Sequence, residues 1–316
     1  MKNQKIITVF GATGAQGGGL VRAILNDKDG EFKVRAVTRN AQSDKAKALE
    51  ELGAEIITAD IDDVISIKNA LKDAYGAYFV TFFWEHFSAE KEYQEVKNFV
   101  AAAKDSNLQH MIWSTLEDTR NWVPLDDNRM PTLQGKYKVP HFDEKGNAEK
   151  LFKEAGLPTT FLRTSFYWDN FIHFGMGPQK AGDGNYYITF PMDDKKLPGM
   201  AAEDIGKCAY GIFKNGPKEA GKTIGIAGEK LSGQEMADKF SKVLGVQVMY
   251  NNVEPEVYRN FGFPGADDLG NMFQFKRDFN DDFCNIRSIE KSLSLNPELQ
   301  DFDKWLSLNK SKLALN

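Results

Sequence analysis

At 316 residues, with 41% hydrophobic and 27% charged side chains, the chain can bury a sizeable core and is longer than one typical domain. A net charge of −5 with no cluster of Lys or Arg argues against direct nucleic-acid binding, so any regulatory role would run through protein contacts. Cys208 and Cys284 make no spaced pair, and His86, His110, His141 and His173 stand in no ligand spacing, so neither a disulfide nor a metal site is expected.

The chain enters a strand after four residues, which leaves no room for a signal peptide, and its most apolar run, Ala74 to Trp84, is too short to span a bilayer. The expectation is a protein of the reducing cytoplasm with no membrane contact. Lys5 to Phe10 is a β-branched run suited to a buried parallel strand, and Gly17 to Asn26 carries Leu20, Val21, Ile24 and Leu25 at helical spacing. Between them lies Gly11-Ala12-Thr13-Gly14-Ala15-Gln16-Gly17, a Gly-x-x-Gly-x-x-Gly string. In that context the first Gly makes a tight turn, the second admits a pyrophosphate, the third lets helix pack on strand, and the helix N-terminus offers its amides to phosphate. Without the flanking strand and helix, the string would be an ordinary loop.

The next strand, Phe32 to Thr38, ends in Arg39-Asn40, with no acid before Asp44. An NAD unit places an acid there for the ribose 2′-OH, whereas a 2′-phosphate calls for a cation. A charge-assisted Arg–phosphate contact contributes roughly 1.5–3 kcal/mol, about ten- to a hundredfold in preference, so NADP(H) is expected rather than NAD(H). The alternative is that Arg39 merely solvates the strand end.

The alternation continues with a helix over Asp44 to Leu52, a strand over Ala54 to Thr58, a helix over Val64 to Asp73 and a strand over Ala77 to Thr81. Asp60 follows the third strand on the cofactor side, while Asp62 or Asp63 suits a helix cap. Thr81, Phe82, Phe83 and Trp84 leave the fourth strand and would either wall a cleft or pack under the following loop. A long helix from about Ser88 to Ser106 covers the sheet with Tyr93, Val96, Phe99, Val100 and Ala103. Strand His110 to Trp113 leads to Ser114, and Asp118 to Pro140 reads as a long irregular polar loop. A helix over His141 to Ala155 and a strand over Thr159 to Arg163 bring the count to six strands, which implies an α/β fold with a Rossmann-type doubly wound parallel sheet.

Beyond Thr164 the pattern loosens. Phe166 to Phe171 is an aromatic patch, Tyr186 to Phe190 a strand, Pro198-Gly199 a turn, Glu203-Asp204 the cap of a helix to Lys214, and Lys222 to Ala227 a strand. Ser232 opens a helix to Leu244, and the tail is mostly helical around the sharp turn Phe261 to Gly265. The expected division is a Rossmann domain of residues 1–164 plus about 201–228, with about 165–200 and 229–316 forming a smaller mixed α/β lobe over the sheet's carboxyl edge.

The glycine string, Val37-Thr-Arg-Asn40, Trp84-Glu85, His141 to Gly146, Tyr187 to Pro191, Met200 to Gly206, Gly262 to Ala266 and Asn271-Met-Phe273 together resemble the NmrA-like family, an atypical branch of the short-chain dehydrogenase/reductases, and within it the NADPH-sensing HSCARG type. The resemblance implies that Gly11 to Gln16 hold the pyrophosphate, Arg39 the 2′-phosphate, Asp60 and Ile61 the adenine, and Thr81, Phe82 and Phe83 the ribose and nicotinamide. It further implies that Lys145 reaches the nicotinamide ribose and that Tyr167, Trp168, Asp169 and Asn170 close over the nicotinamide. Two positions depart from the pattern: Ser43 stands where a second basic residue is expected, leaving Lys45 to substitute, and Phe82-Phe83 replaces a more polar pair.

Short-chain reductases use Tyr-x-x-x-Lys and a Ser on the preceding strand end: the Tyr protonates an alkoxide, the Lys lowers its pKa, and the Ser orients the carbonyl. Here Ser114 and Lys145 fit, but His141 takes the tyrosine's place, and Tyr137 has no lysine one turn on. With Lys145 on the same helix face, His141 would stay neutral and donate poorly; otherwise it merely lines the cleft wall. Ser114, for its part, is as well suited to a backbone bond. Two functions follow: an NADP(H)-responsive regulator acting through protein partners, with a homodimer open and the long polar loop as the segment binding would order, or an NADPH-dependent reductase of a quinone or similar planar carbonyl stacked on the aromatic patch.

Overall fold

The computed structural model describes residues 4–313 and 315. From the N-terminus, β1 (Lys5–Val9), α1 (Ala15–Asn26), β2 (Phe32–Thr38), α2 (Asp44–Glu51), β3 (Glu55–Thr58), α3 (Val64–Leu71), β4 (Gly76–Phe79), α4 (Ala89–Lys104), β5 (His110–Thr115), α5 (Pro140–Asn147), α6 (Glu149–Glu154) and β6 (Thr159–Arg163) alternate strand with helix, save that two helices stand between β5 and β6. There follow β7 (Phe166–Tyr167), α7 (Asn170–His173), β8 (Gln179–Lys180), β9 (Tyr186–Thr189), β10 (Leu197–Met200), α8 (Ala202–Asn215), β11 (Thr223–Ile226), β12 (Glu229–Leu231), α9 (Gly233–Leu244) and β13 (Val248–Asn251). The tail comprises α10 (Pro255–Arg259), α11 (Ala266–Asp278), α12 (Asn280–Ile286), β14 (Arg287–Ser288), α13 (Ile289–Leu295) and α14 (Phe302–Asn309). Among the described residues no helix is long and apolar enough to cross a membrane.

Eight strands form one parallel sheet in the order β14-β11-β6-β5-β4-β1-β2-β3. The chain winds outward from β1 to β3, then returns to place β4 on the other side of β1, so the direction reverses between the carboxyl ends of β1 and β4. Ligands of open α/β sheets bind at such a reversal. One side of the sheet is filled by Phe10, Phe79 and Phe99, whose ring centroids lie 4.7 to 5.3 Å apart. The other side is covered by α1 and α8 over Leu20, Ile24, Ile205 and Phe213. Each such side chain contributes about 1.5–3 kcal/mol by leaving water.

The sheets β12-β10-β7 and β13-β9-β8 belong to a lobe with its own core, in which Phe302 and Trp305 stack at 5.7 Å and Trp168 packs on both. Pro198-Gly199, expected as a turn, lies within β10. Pro198 pairs with β12 alone, because β7 meets the strand only from Gly199 onward, so the missing N–H leaves no gap toward β7. Gly199 is required there because a Cβ would strike the Trp168 indole. The expected helix over His141 to Ala155 is two helices meeting at Ala148, and Gly146 lies against the backbone of Asp118 with no room for a side chain. Glu203 and Asp204 lie in the first turn of α8 rather than capping it: Glu203 pairs with Arg22, and Asp204 accepts from the Gln300 amide at 2.8 Å.

The segment 118–140 is pinned rather than loose. Val123 and Met130 enter the lobe core, and Lys138 is buried, donating from Nζ to the carbonyls of Asp127 and Met130 at 2.8 Å each. Asn271 and Gln274 of α11 donate to the carbonyls of Pro131, Lys138 and Arg129. The tail is also fixed to the sheet by a buried bidentate pair, Arg287 to Glu117, at 2.7 and 3.0 Å. Beside that pair, Lys276 is buried among Phe142, Phe166, Phe273 and Phe283, with Met272 Sδ accepting from Nζ. Burial, reinforced by the Arg287 charge, pushes the Lys276 ammonium down to about 7.

An unfolded Lys276 keeps its proton to a much higher pH, so the folded chain is penalised wherever the ammonium is charged, and stability returns as pH rises from about 7 toward 10. Lys276→Met is therefore expected to stabilise the protein by about 1–4 kcal/mol at neutral pH. Urea unfolding should show that gain shrinking steadily on the alkaline side.

Candidate functional site

The turn after β1 is built by glycines. Gly11 has φ +67° and would press a Cβ to 2.7 Å from Val80 Cγ1, its carbonyl accepts from Gly14 N–H at 2.9 Å, and Gly17 lies directly on the Gly11 carbonyl, where no side chain fits. Ala12 is buried beneath the turn, Thr13 is half-buried, and Gly14 and Ala15 face solvent. The next three helices on the sheet are capped by Ser43, Asp63 and Ser88, but α1 has no side-chain cap and no acid in its first turn. Its first amides are thus left for an external acceptor such as a phosphate.

Gln16 is the hub of the cleft. Its Oε1 accepts from Tyr78 Oη and, at 2.7 Å, from Ser114 Oγ, while its Nε2 donates to Tyr167 Oη. The first turn of α1, the ends of β4 and β5, and β7 are thereby joined through one amide. Burial pushes the Tyr167 phenol up to about 12 and that of Tyr78 well above the usual range, so both are neutral donors or acceptors here. Ser114 is buried and engaged by Gln16.

Lys145 is tied into the same edge by its carbonyl, which accepts from Trp113 Nε1 at 3.1 Å and Thr115 Oγ1 at 3.0 Å. Its ammonium donates to Thr81 Oγ1 at 2.7 Å and forms an ion pair with the fully buried Glu92, which also accepts from Thr81 Oγ1. His141 is nearly buried against Trp84 and Phe142, its Nδ1 paired with the Asp268 carboxylate from α11. The charge in contact with His141 is thus a tail carboxylate, not the Lys145 ammonium expected from the helix spacing. Tyr137 is buried, with burial raising its phenol well above the usual range.

The remaining expected positions separate. Arg39 is exposed at the end of β2 and paired with Glu85; Asp60 is exposed and Ile61 half-buried after β3; Phe82 is exposed at the end of β4. The Phe83 ring is buried with Ala89 and Tyr137. The Trp168 indole belongs to the lobe core with Phe302 and Trp305, and the Phe166 and Phe171 rings, expected as a substrate platform, are buried in that same core. Asp169 spends a carboxylate oxygen on the Ala202 amide at 2.8 Å, and Asn170 begins α7.

Glu85, Glu92, Glu95 and Asp268 were not legible as site residues. The available signal was two acids, Glu92 and Glu95, three apart beside the apolar stripe of α4. Glu95 lies 3.5 Å from His86 Nε2, and burial with the nearby Glu92 charge pushes its carboxyl up to about 7. Among the described residues no group of three His, Cys, Asp or Glu is placed to hold a metal ion.

A family model described as the NmrA-like family matches residues 3–306. An NmrA-like family domain-containing protein of Dictyostelium discoideum is 30% identical over 262 residues, covering 80% of this chain and 82% of its own. The oxidoreductase FrzB of a Cladobotryum species, also NmrA-like, is 28% identical, with 85% and 83% covered. Among solved structures, NmrA, described as a negative transcriptional regulator in complex with NADP, superposes with a TM-score of 0.78 at 24% identity, covering 96% of this chain and 94% of that one.

A carboxyl whose folded pKa is raised, as at Glu95, contributes stability at low pH that is lost as pH rises through about 7. Glu95→Gln should remove that dependence. Relative to wild type, its unfolding free energy is expected to gain about 1–2 kcal/mol between acid and mildly alkaline buffer, after discounting for solvent screening. Parallel curves for the two proteins would contradict it.

Proposed function

The chain belongs to the NmrA-like family, and from that membership we propose that it binds NADP(H) along the carboxyl edge of its parallel sheet and acts as a redox-responsive regulator with little or no dehydrogenase activity. The residues present suit the dinucleotide. The uncapped α1 behind Gly11 to Gly17 suits a pyrophosphate, Arg39 a 2′-phosphate, and Asp60 and Ile61 the adenine. To the ribose and nicotinamide the reading assigns Phe82, Thr81 and Lys145, with Tyr167, Asp169 and Asn170 beside them. NmrA itself, described as a transcriptional regulator in complex with NADP, lends support to a regulatory use of such a site.

The observation that carries the regulatory reading is that each of the three expected catalytic side chains is engaged within the protein. His141 is held by Asp268, Lys145 by Glu92 and Ser114 by Gln16. A cofactor in this cleft would supply hydride, but the Tyr-x-x-x-Lys pair that serves carbonyl reduction is absent, with His141 in the tyrosine's place. The readout would pass to protein partners, or to a second copy of the chain, since the charge balance does not suit nucleic acid. Because the segment 118–140 is already pinned to α11, ordering of that loop is not the device.

A second reading is kept because relatives such as FrzB are named oxidoreductases. A quinone takes hydride readily, and its oxyanion can be protonated from solvent, so an NADPH-dependent quinone reductase could work without a dedicated donor. Calorimetry and stopped-flow NADPH oxidation separate these readings. Arg39→Ala is expected to weaken NADPH about ten- to a hundredfold while changing NADH little. With a quinone panel, the wild type should consume NADPH no faster than His141→Ala or Lys145→Ala. Turnover that those variants abolish would transfer the assignment to the reductase.

A further inference from the structure

Arg39 does not wait unpaired for a phosphate. Its guanidinium is bound by Glu85, and Asp60 and Glu95 add negative potential around it. Both partners are accessible, with side-chain exposures of 67% and 46%, so a ligand can reach the pair.

The carboxylate is presented by a fixed backbone. Glu85 ends a single tight turn, Phe83–Glu85, in which the Glu85 amide donates to the Phe82 carbonyl at 3.2 Å and the His86 and Phe87 amides donate to that of Phe83. Phe83 is buried beneath the turn, and the Trp84 ring is 4.8 Å from His141 and closes against Gly265. The backbone is therefore held while the Glu85 side chain can swing, and a departing carboxylate goes straight into water.

We propose that Glu85 is a specificity-setting residue, an internal stand-in for the 2′-phosphate that must be displaced before a phosphorylated dinucleotide can use Arg39. A dinucleotide lacking that phosphate leaves the ion pair closed and meets no competition. Glu85 thus lowers affinity for NADP(H) selectively and sets the concentration at which the site fills. The phosphate prevails because it brings more charge and more acceptor oxygens than a carboxylate. The inference rests on the cofactor reading of the glycine turn and concerns the control of that same site.

An exposed ion pair limits such competition to roughly two- to fivefold. Calorimetry with NADP and NAD on wild type, Glu85→Gln, Glu85→Ala, Arg39→Ala and the Arg39→Ala/Glu85→Gln double variant tests it. Both Glu85 variants are expected to bind NADP roughly two- to fivefold more tightly than wild type, with NAD unchanged. Removing Glu85 in the Arg39→Ala background should bring no gain, because the coupling requires both side chains. Unchanged or weaker NADP binding by the Glu85 variants, or equal tightening of both nucleotides, would overturn the role of Glu85 while leaving the cofactor reading intact. A wild-type protein that binds neither nucleotide would remove the cofactor reading itself.

Discussion

The architecture depends on backbone contact between α1 and its surroundings. Gly17 lies on the Gly11 carbonyl, Gly19 on the Glu203 backbone, and Gly206 of α8 on Gly19 and Leu20, with no space for a Cβ at any of the three. Each glycine inside a helix costs about 1 kcal/mol relative to Ala, a cost offset by letting two helices and a turn meet backbone to backbone. Since α8 follows the excursion through β7 to β10, the same contact sets where the lobe emerges. The shape of the turn and the position of the lobe over the sheet edge are consequences of one close approach.

Around that edge, polar groups are balanced locally. Lys145 meets Glu92, His141 meets Asp268, Arg287 meets Glu117, and the Gln16 amide uses both ends on three hydroxyls. Removing one member of a buried pair leaves an uncompensated charge, typically at a cost of about 3–5 kcal/mol. His141 and Lys145 are therefore structural residues whatever else they do. Loss of function in their variants has meaning only alongside a measurement of folding.

Much of the sheet could be read from the residues because buried parallel strands demand continuous β-branched or aromatic runs, as in Lys5 to Val9, Phe32 to Thr38 and Thr159 to Arg163. The glycine string was legible for the same reason: few residues tolerate its backbone. What composition hid were elements stabilised from a distance. Leu197 to Met200 looks like a turn until the Trp168 indole is seen to occupy the space above Gly199. Asp118 to Pro140 looks solvated until Asn271 and Gln274, well over a hundred residues later, satisfy its carbonyls. The counter-ions of the site stayed hidden likewise. Nothing local in the sequence marks Glu92 or Asp268, and only the fold brings them to Lys145 and His141.

Two cations near the cleft are answered by acids from other segments, Arg39 by Glu85 and Lys145 by Glu92, and the His141 ring is held by Asp268. A ligand that uses such cations must first exchange with a carboxylate, so part of its gross attraction is cancelled before any net affinity remains. For an enzyme this is wasteful, because binding energy helps catalysis only where it favours the transition state over the ground state. For a sensor it is useful, since an occupancy that tracks its ligand requires a dissociation constant near the working concentration rather than far below it. Interactions made by the apo protein with itself are a direct way to raise that constant without dismantling the cradle.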